Sequence, residues 1–571
     1  MVRIALRLAS LLPRLALTWY VAGLEPSVPF LDHGPLFDLY HAVATGQAGW
    51  RDFVSPHNGI HVIVAPRLFL SALALATDWT MSAEIWTSLA LVLVTFIATT
   101  RIAAAGGGPR RTPIELANLL TALLLCSPVA YWSWVWTCGF FHFLMNACVV
   151  LGALALVPSA PGREARQVAV AALFCLLATF TRAEGIGLWF VLAPALLQLT
   201  KGLPRRRLLV GAWWSGASIS IALVTLSIAL LGDPATADSL AGDPFDRPFA
   251  RVAMVLSLVG LAFGSGLAAA LLDGGSIAAF VPVLAPIGAL VSTLFVTLSL
   301  VSLWRRVAPA DADALPWISI GALGAAFVVA SGAIRFGVLD SGLLGDFWPS
   351  NYATSAALIS VAVVHLLALR ASRSDERRAR GYLAALAASG MLITGSWTAE
   401  LPDALDARSA TWNSDLCFEI FTHLDELNSC FGRRIEDAQA RRFEEVGFRT
   451  IRRDLRFDPA TRGLGAIESE RPRRIGGFEA TGWVRDDGIG SDPVVFISRD
   501  EGESLFALAV PTGRDGDRIS WRAAIYTPTD GSVFRAWRYD RDTGSFDRLD
   551  GRLVAGGGEA ARSGDGPDAR R

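Results

Sequence analysis

The chain has 571 residues, 52% of them hydrophobic and 18% charged, with mean hydropathy +0.42 and a net charge of −1. That is too apolar for a soluble globule and too close to neutral for a nucleic-acid partner, so an integral membrane protein is expected. The six cysteines form no CxxC pair and no zinc spacing.

Apolar runs able to cross about 30 Å of hydrocarbon need roughly 20 residues. Candidates lie near 5–24, 59–77, 84–104, 114–132, 138–157, 167–181, 184–200, 208–231, 249–272, 276–303, 315–334, 351–370 and 381–397. The first reads as a retained helix, because Pro13 and Arg14 interrupt it and no small-residue cleavage site follows. Short cytoplasmic loops collect Arg and Lys. Basic clusters fall at Arg3/Arg7, Arg101/Arg110/Arg111, Arg163/Arg166, Lys201/Arg205/Arg206/Arg207, Arg305/Arg306 and from Arg370 to Arg380. Between two such clusters the number of crossings must be even. The intervals 7–101 and 207–305 hold three candidates each, so 59–77 and the Gly-rich 249–272 are expected to stay at the interface. The expectation is about eleven crossings plus interfacial helices, with the N-terminus inside and the C-terminus outside.

After about residue 398 the long apolar runs end and charge rises. Residues 433–456 (RRIEDAQARRFEEVGFRTIRRDLR) read as an amphipathic helix. Short alternating stretches follow, such as PVVFIS, ISWRAAIY and SVFRAWRY, separated by turn residues, which predicts a small β-sandwich. The expected division is a transmembrane domain over 1–397, a helical connector over 398–456, a mainly-β sandwich over 457–555 and a disordered tail over 556–571. Cys417 and Cys430 both fall in the exported part, where a disulfide is feasible but not required. Cys126, Cys138, Cys148 and Cys175 lie in apolar helices and read as packing residues.

On this topology one outer loop stands out: EPSVPFLDHGPLFDLYHAVATGQAGWRDFVSPHNGIHVIVAPRLFL. It carries Asp32, His33, Asp38, Tyr40, His41, Asp52, His57, Asn58, His61 and Arg67, including four of the seven histidines. GPLFDLYHAVATG predicts a short surface helix ended by Gly46. Taken singly, these side chains read as caps and wet surface pairs. Taken together, so many titratable groups beside a membrane suggest a site.

The order of first helix, acidic outer loop with a surface helix, and interfacial segment opened by a polar-Pro motif resembles GT-C fold glycosyltransferases. SPHNGIHVIVAPRLFLSALALATD also resembles a bacterial multi-span group with an HNEHR…RL…D signature after its first loop. The chain keeps His57, Asn58, His61, Arg67 and Asp78, but has Gly59, Ile60 and Val62 where the signature varies from it, so the signature's acid is absent. The resemblance implies a membrane enzyme that takes a sugar from a polyprenyl-phosphate donor at the outer face of the bacterial inner membrane and passes it, with inversion, to an envelope glycan or lipid. It implies an Asp general base, here Asp38 first and Asp32 second. A lipid-phosphate leaving group calls for cations and donors: Arg67, His57, His61, Arg182 and Arg335. Asn58, Tyr40, Glu184 and Trp134 are possible substrate contacts. No cofactor beyond the lipid-linked sugar and no metal is expected.

Elsewhere, the Trp-rich AYWSWVWTCGFFHF with His142 reads first as an aromatic belt. Arg182 and Glu184 in TRAEG read as a local pair, and His365 as a packed helix residue. Asp340 and Asp346 accompany Arg335, and His423 reads as surface. The competing reading is a non-catalytic scaffold or transporter-like component of envelope polysaccharide assembly. A transporter would show mid-helix charges and repeated halves; few such charges and no repeat are seen.

Overall fold

The computed structural model describes residues 1–24, 33–57, 62–106, 108–135, 139–158, 162–200, 204–229, 248–271, 277–304, 309–334, 348–410, 441–442, 444–445, 455–460, 463–472, 478–486, 493–499, 505–525 and 532–554. The chain divides into two compact units. One comprises 1–24, 42–273 and 277–408, and the other 25–41, 274–276 and 409–571.

In chain order the helices are α1 (Val2–Ala9), α2 (Leu11–Ala22), α3 (His33–Ala44), α4 (Trp50–Val54), α5 (Val64–Ala76), α6 (Met81–Ala105), α7 (Thr112–Leu125), α8 (Tyr131–Val135), α9 (Phe140–Ala155), α10 (Glu164–Thr179), α11 (Gly187–Val191), α12 (Ala193–Leu199), α13 (Pro204–Ala229), α14 (Pro248–Leu271), α15 (Ile277–Trp304), α16 (Leu315–Ile334), α17 (Trp348–Arg373) and α18 (Glu376–Ala410). Among the described residues, eight spans are long and apolar enough to cross a membrane. The molecule is therefore a multi-pass helical membrane protein with a C-terminal β domain. The Tyr352–Arg373 span is buried from Tyr352 to Leu369. It is the axis against which α7, α9, α14, α15 and α16 pack. Its apolar face merges into one core with Trp189, Trp317 and Phe327.

Charge accounts for much of this arrangement. At one end of the bundle, Arg7 pairs with Glu115 at 2.5 Å and Arg373 pairs with Asp313. Arg373 also donates to the Gly106 carbonyl at 2.8 Å, and Arg370 to Ser302 Oγ at 2.7 Å. Residues flanking the clusters at Arg7, Arg101–Arg111 and Arg370–Arg380 thus meet at one end of the bundle.

One crossing expectation is revised. The 249–272 run, assigned to the interface on charge grounds, lies in α14, a continuous helix long and apolar enough to span. Its glycines serve packing instead of a break. A Cβ on Gly260 would lie 2.1 Å from the Leu284 carbonyl oxygen, and one on Gly288 would lie 1.7 Å from that of Leu256. Glycine at both positions lets α14 and α15 touch backbone to backbone. The 59–77 run yields α5, whose 13 residues reach only about 20 Å, too short to cross. The run near 5–24 is nearly continuous, interrupted at Ser10 between α1 and α2. The 381–397 run belongs to α18, whose 35 residues continue past 397 and through Pro402.

In the second unit the described strands are β1 (Arg456–Asp458), β2 (Gly465–Pro472), β3 (Phe478–Arg485), β4 (Val494–Arg499), β5 (Leu505–Leu508), β6 (Val510–Asp515), β7 (Arg518–Ile525), β8 (Val533–Asp540), β9 (Ser545–Arg548) and β10 (Leu553–Val554). One sheet runs β1-β9-β8-β4-β5 with β10 also on β8, and the other runs β2-β3-β7-β6. All pairings are antiparallel except β1 with β9. Along β3, buried and half-buried residues alternate from Phe478, so one face is turned inward. Phe478, Ile519, Trp521 and Ile525 of one sheet share a core with Val495, Ile497, Phe534 and Ala536 of the other. This is the two-layer sandwich that the alternating pattern predicted. Of the helix expected over 433–456, only Arg441, Arg442, Glu444 and Glu445 and the residues from 455 are described; the first four are helical. Cys417, Cys430 and the tail 556–571 lie outside the described residues.

Candidate functional site

The TRAEG turn shows how the sequence builds the site. α10 ends at Thr179, and Arg182 is extended (φ −156°, ψ 147°) before a short 3-10 turn over Ala183–Ile186. Gly185 is required for this fold-back, because a Cβ there would lie 2.0 Å from the Ala178 carbonyl oxygen. Doubling the chain back places Arg182 and Glu184 side by side and turned inward.

Arg182 is buried and bonded on several sides. Its Nη2 lies 3.3 Å and its Nε 3.4 Å from the two Glu184 oxygens. Its Nη1 donates to His142 Nε2 at 2.9 Å. A guanidinium cannot accept, so the ring nitrogen that takes this bond presents its lone pair; Nδ1 lies 3.3 Å from Nη1 and 3.4 Å from Ser355 Oγ. The guanidinium also sits 4.8 Å above the Phe327 ring and bonds with Tyr352. Burial works against its charge, but Glu184 and Tyr352 together outweigh that and hold it above its ordinary value. Deeper, Ser133 Oγ meets Thr354 Oγ1 at 2.9 Å and Asn146 Nδ2 donates to the Thr354 carbonyl at 2.9 Å. α9, α17 and the TRAEG turn thus enclose a polar cluster in an apolar bundle.

The first-loop signature docks beside it. The Ala65 amide, at the start of α5, donates to the Phe180 carbonyl at 2.9 Å, two residues before Arg182. Phe69 stacks on Phe140 at 5.1 Å, and the buried His57 ring meets Phe141 edge-on at 6.3 Å. Arg67 is buried and turns back toward the preceding loop. Its Nη1 donates to the carbonyls of Phe53 (3.2 Å) and Ser55, and to Ser55 Oγ at 3.1 Å. Burial pushes this guanidinium down to about 10, with Asp52 opposing. Asp78, the signature's last residue, is left-handed at φ 47° just past the end of α5. Both signature residues therefore also have structural work at the ends of α5.

The structure thus gathers His57, Arg67, Arg182 and Glu184 at one end of the helical unit. Trp134 is buried 4.3 Å from the Phe143 ring. Asp38 and Tyr40 belong to the second unit. Asp38 is half exposed and pairs with Arg442 at 2.5 Å, and three residues on His41 meets Glu445 at 2.7 Å. Tyr40 is buried, its ring 5.3 Å from that of Phe37. Asp32, Asn58, His61 and Arg335 lie outside the described residues. His365 is a packing residue, stacked on Trp317 at 3.8 Å and 2.9 Å from Thr121 Oγ1. Among the described residues no group of three or more His, Cys, Asp or Glu side chains could hold a metal ion.

Sequence reasoning passed over His142 as a neighbour of an aromatic belt and did not single out Tyr352. A signal was present: His142 and Asn146 are polar residues four apart in an otherwise apolar helix, and so share a face.

Fold and site together define a multi-pass membrane protein with a charged cluster at one end of its bundle and a β-sandwich beyond its last helix. No family model matches the chain, and no curated protein matches it. Among solved structures it is similar to ArnT from Cupriavidus metallidurans, in a crystal structure bound to undecaprenyl phosphate. The identity is 13% over 92% of this chain and 99% of that one, with a TM-score of 0.39.

Proposed function

We propose that this protein is a membrane glycosyltransferase-like enzyme that transfers a sugar from a polyprenyl-phosphate donor to a cell-envelope acceptor at the outer face of the inner membrane. The observation that carries the reading is the buried Arg182, held charged by Glu184 and Tyr352 beside His142, with the signature helix α5 bonded two residues away. A cation at the edge of an apolar bundle suits a phosphate whose tail lies in lipid.

In this mechanism Asp38 takes the proton from the acceptor hydroxyl as its oxygen attacks the anomeric carbon. The bond from that carbon to the phosphate oxygen breaks, and the polyprenyl phosphate leaves as an anion. Arg182 and Arg67 oppose its charge, with His57 as a further donor. To act, Asp38 must exchange Arg442 for the acceptor hydroxyl. Asp32, His61, Asn58 and Arg335 keep their assigned parts in this proposal, as do Glu184, Tyr40 and Trp134 as substrate contacts. The sandwich positions the acceptor or partner proteins without taking part in chemistry.

One observation favours the rival scaffold: Asp38 and His41 are already committed to Arg442 and Glu445. The two readings separate in membranes supplied with radiolabelled polyprenyl-phosphate sugar. If Asp38 is the base, Asp38→Asn abolishes transfer while Arg442→Gln retains or raises it. If the pair is only structural, both substitutions act alike, and a wild type inactive with every donor leaves the scaffold.

A further inference from the structure

The contact that occupies Asp38 is built at two points. Through His41, α3 belongs to the same compact unit as the chain from Ser409 onward. Leu36, Phe37, Leu39 and Tyr40 are each at most 5% exposed, so one broad face of the helix is seated in protein. Asp38 and His41 lie beside that face, three residues apart and therefore neighbours on the helix surface. Arg442 and Glu445 are also three apart, and both are helical. Asp38 Oδ1 meets Arg442 Nη1 at 2.5 Å, and His41 Nε2 meets Glu445 Oε2 at 2.7 Å. Acid faces base in the first pair, and base faces acid in the second. The alternation fixes the register: a slip of three residues would set Asp38 against Glu445, or His41 against Arg442.

The contact has a strong part and a weak part. Burial of large apolar side chains holds α3 far more firmly than an exposed ion pair does. The Asp38 and Arg442 side chains are 43% and 45% exposed, and Glu445 is 61% exposed. Pairs this open to water are screened by salt and exchange with other hydrogen-bonding groups. The ion pairs can therefore open while α3 stays seated on its apolar face.

We propose that Arg442 and Glu445 form an autoinhibitory clasp on α3: Arg442 occupies the Asp38 carboxylate, and Glu445, by holding His41, positions Arg442 there. The inhibition rests on the glycosyltransferase reading, in which Asp38 receives the acceptor proton; the clasp itself does not. A general base needs a free lone pair within reach of the acceptor hydroxyl, and Oδ1 is committed to Arg442 while the clasp is closed. The C-terminal segment thereby restrains transfer until the acceptor displaces Arg442.

Carbodiimide labelling of Asp38 in the full chain, read by peptide mass spectrometry, reports the clasp without any transfer. Arg442→Gln, Glu445→Gln and molar KCl should each raise the Asp38 labelling rate by roughly 2–5-fold, the range set by one exposed pair. Arg442→Lys, which keeps the charge, should stay near wild type. Transfer of radiolabelled sugar at saturating donor then reports the inhibition. At low salt Arg442→Gln and Glu445→Gln should raise kcat by a similar factor, and both should lose the activation by salt that wild type shows. Equal labelling in wild type, Arg442→Gln and Glu445→Gln overturns the clasp. Labelling that rises while kcat falls or stays level in both variants overturns its inhibitory role. If labelling rises but wild type uses no donor, the glycosyltransferase reading is what fails, and the inhibition goes with it.

Discussion

Glu184→Gln isolates the energetic core of the site. The Arg182 and Glu184 side chains are only 8% and 12% exposed, with Nη2 3.3 Å from Oε1. At that separation and an effective dielectric near 20, the attraction is about 5 kcal/mol. The amide keeps one acceptor for Arg182 but leaves the guanidinium charge without its carboxylate. His142 and Tyr352 still bond to the guanidinium but do not replace the carboxylate. Breaking a buried pair from one side costs about 3–5 kcal/mol, and the retained amide bond puts this substitution near 3. Removing both charges, as in Arg182→Gln with Glu184→Gln, strands no ion and costs less than the two single changes summed, with a coupling of about 2 kcal/mol. Equilibrium unfolding of the full chain in mixed micelles, titrated with SDS, measures all three. A Glu184→Gln loss under about 1 kcal/mol, or strict additivity in the double variant, refutes the claim that Glu184 sustains the Arg182 charge.

Two further expectations follow from local geometry. Gly288→Ala drives a methyl group into the Leu256 carbonyl and should cost at least about 1–3 kcal/mol in the same assay; Gly211→Ala, where nothing lies within 4 Å, should be neutral or stabilising by up to about 1 kcal/mol. Burial raises the Asp540 carboxyl, but bonds from Thr543 and from the Asp542 amide together outweigh it and hold the group below its ordinary value. A depressed carboxyl contributes stability above its unfolded pKa and loses it as pH falls through the folded one. Amide protection in the 540–544 turn, corrected for intrinsic exchange, should therefore fall on acidification below the usual carboxylate range. Asp540→Asn should remove that dependence.

The sequence carried the class of this protein because class depends on composition and periodicity. Long apolar runs between arginine clusters dictate membrane helices, but the even-crossing rule misplaced 249–272, since, with α14 long enough to span, three such runs lie between the clusters at 207 and 305. Alternation in ISWRAAIY and SVFRAWRY was enough to predict the sandwich. Gly46, at φ +70° after α3, ended the surface helix where the pattern placed it. The sequence also drew attention to His57, Arg67, Arg182 and Glu184, since charges beside apolar runs are costly and therefore conspicuous.

Tertiary structure decided what those charges touch. Arg67 was legible as a cation at an interface, but its turn back to the Ser55 carbonyl depends on how the loop after α4 closes. The role of Gly288 was hidden because a glycine that breaks a helix and one that admits a neighbouring backbone look alike in sequence; only the α14–α15 contact separates them. His142, Tyr352 and Arg182 are far apart along the chain, and no local pattern encodes their meeting. Burial periodicity is a property of each segment by itself. Partnership in a buried polar cluster arises only when α9, α17 and the TRAEG turn are packed together.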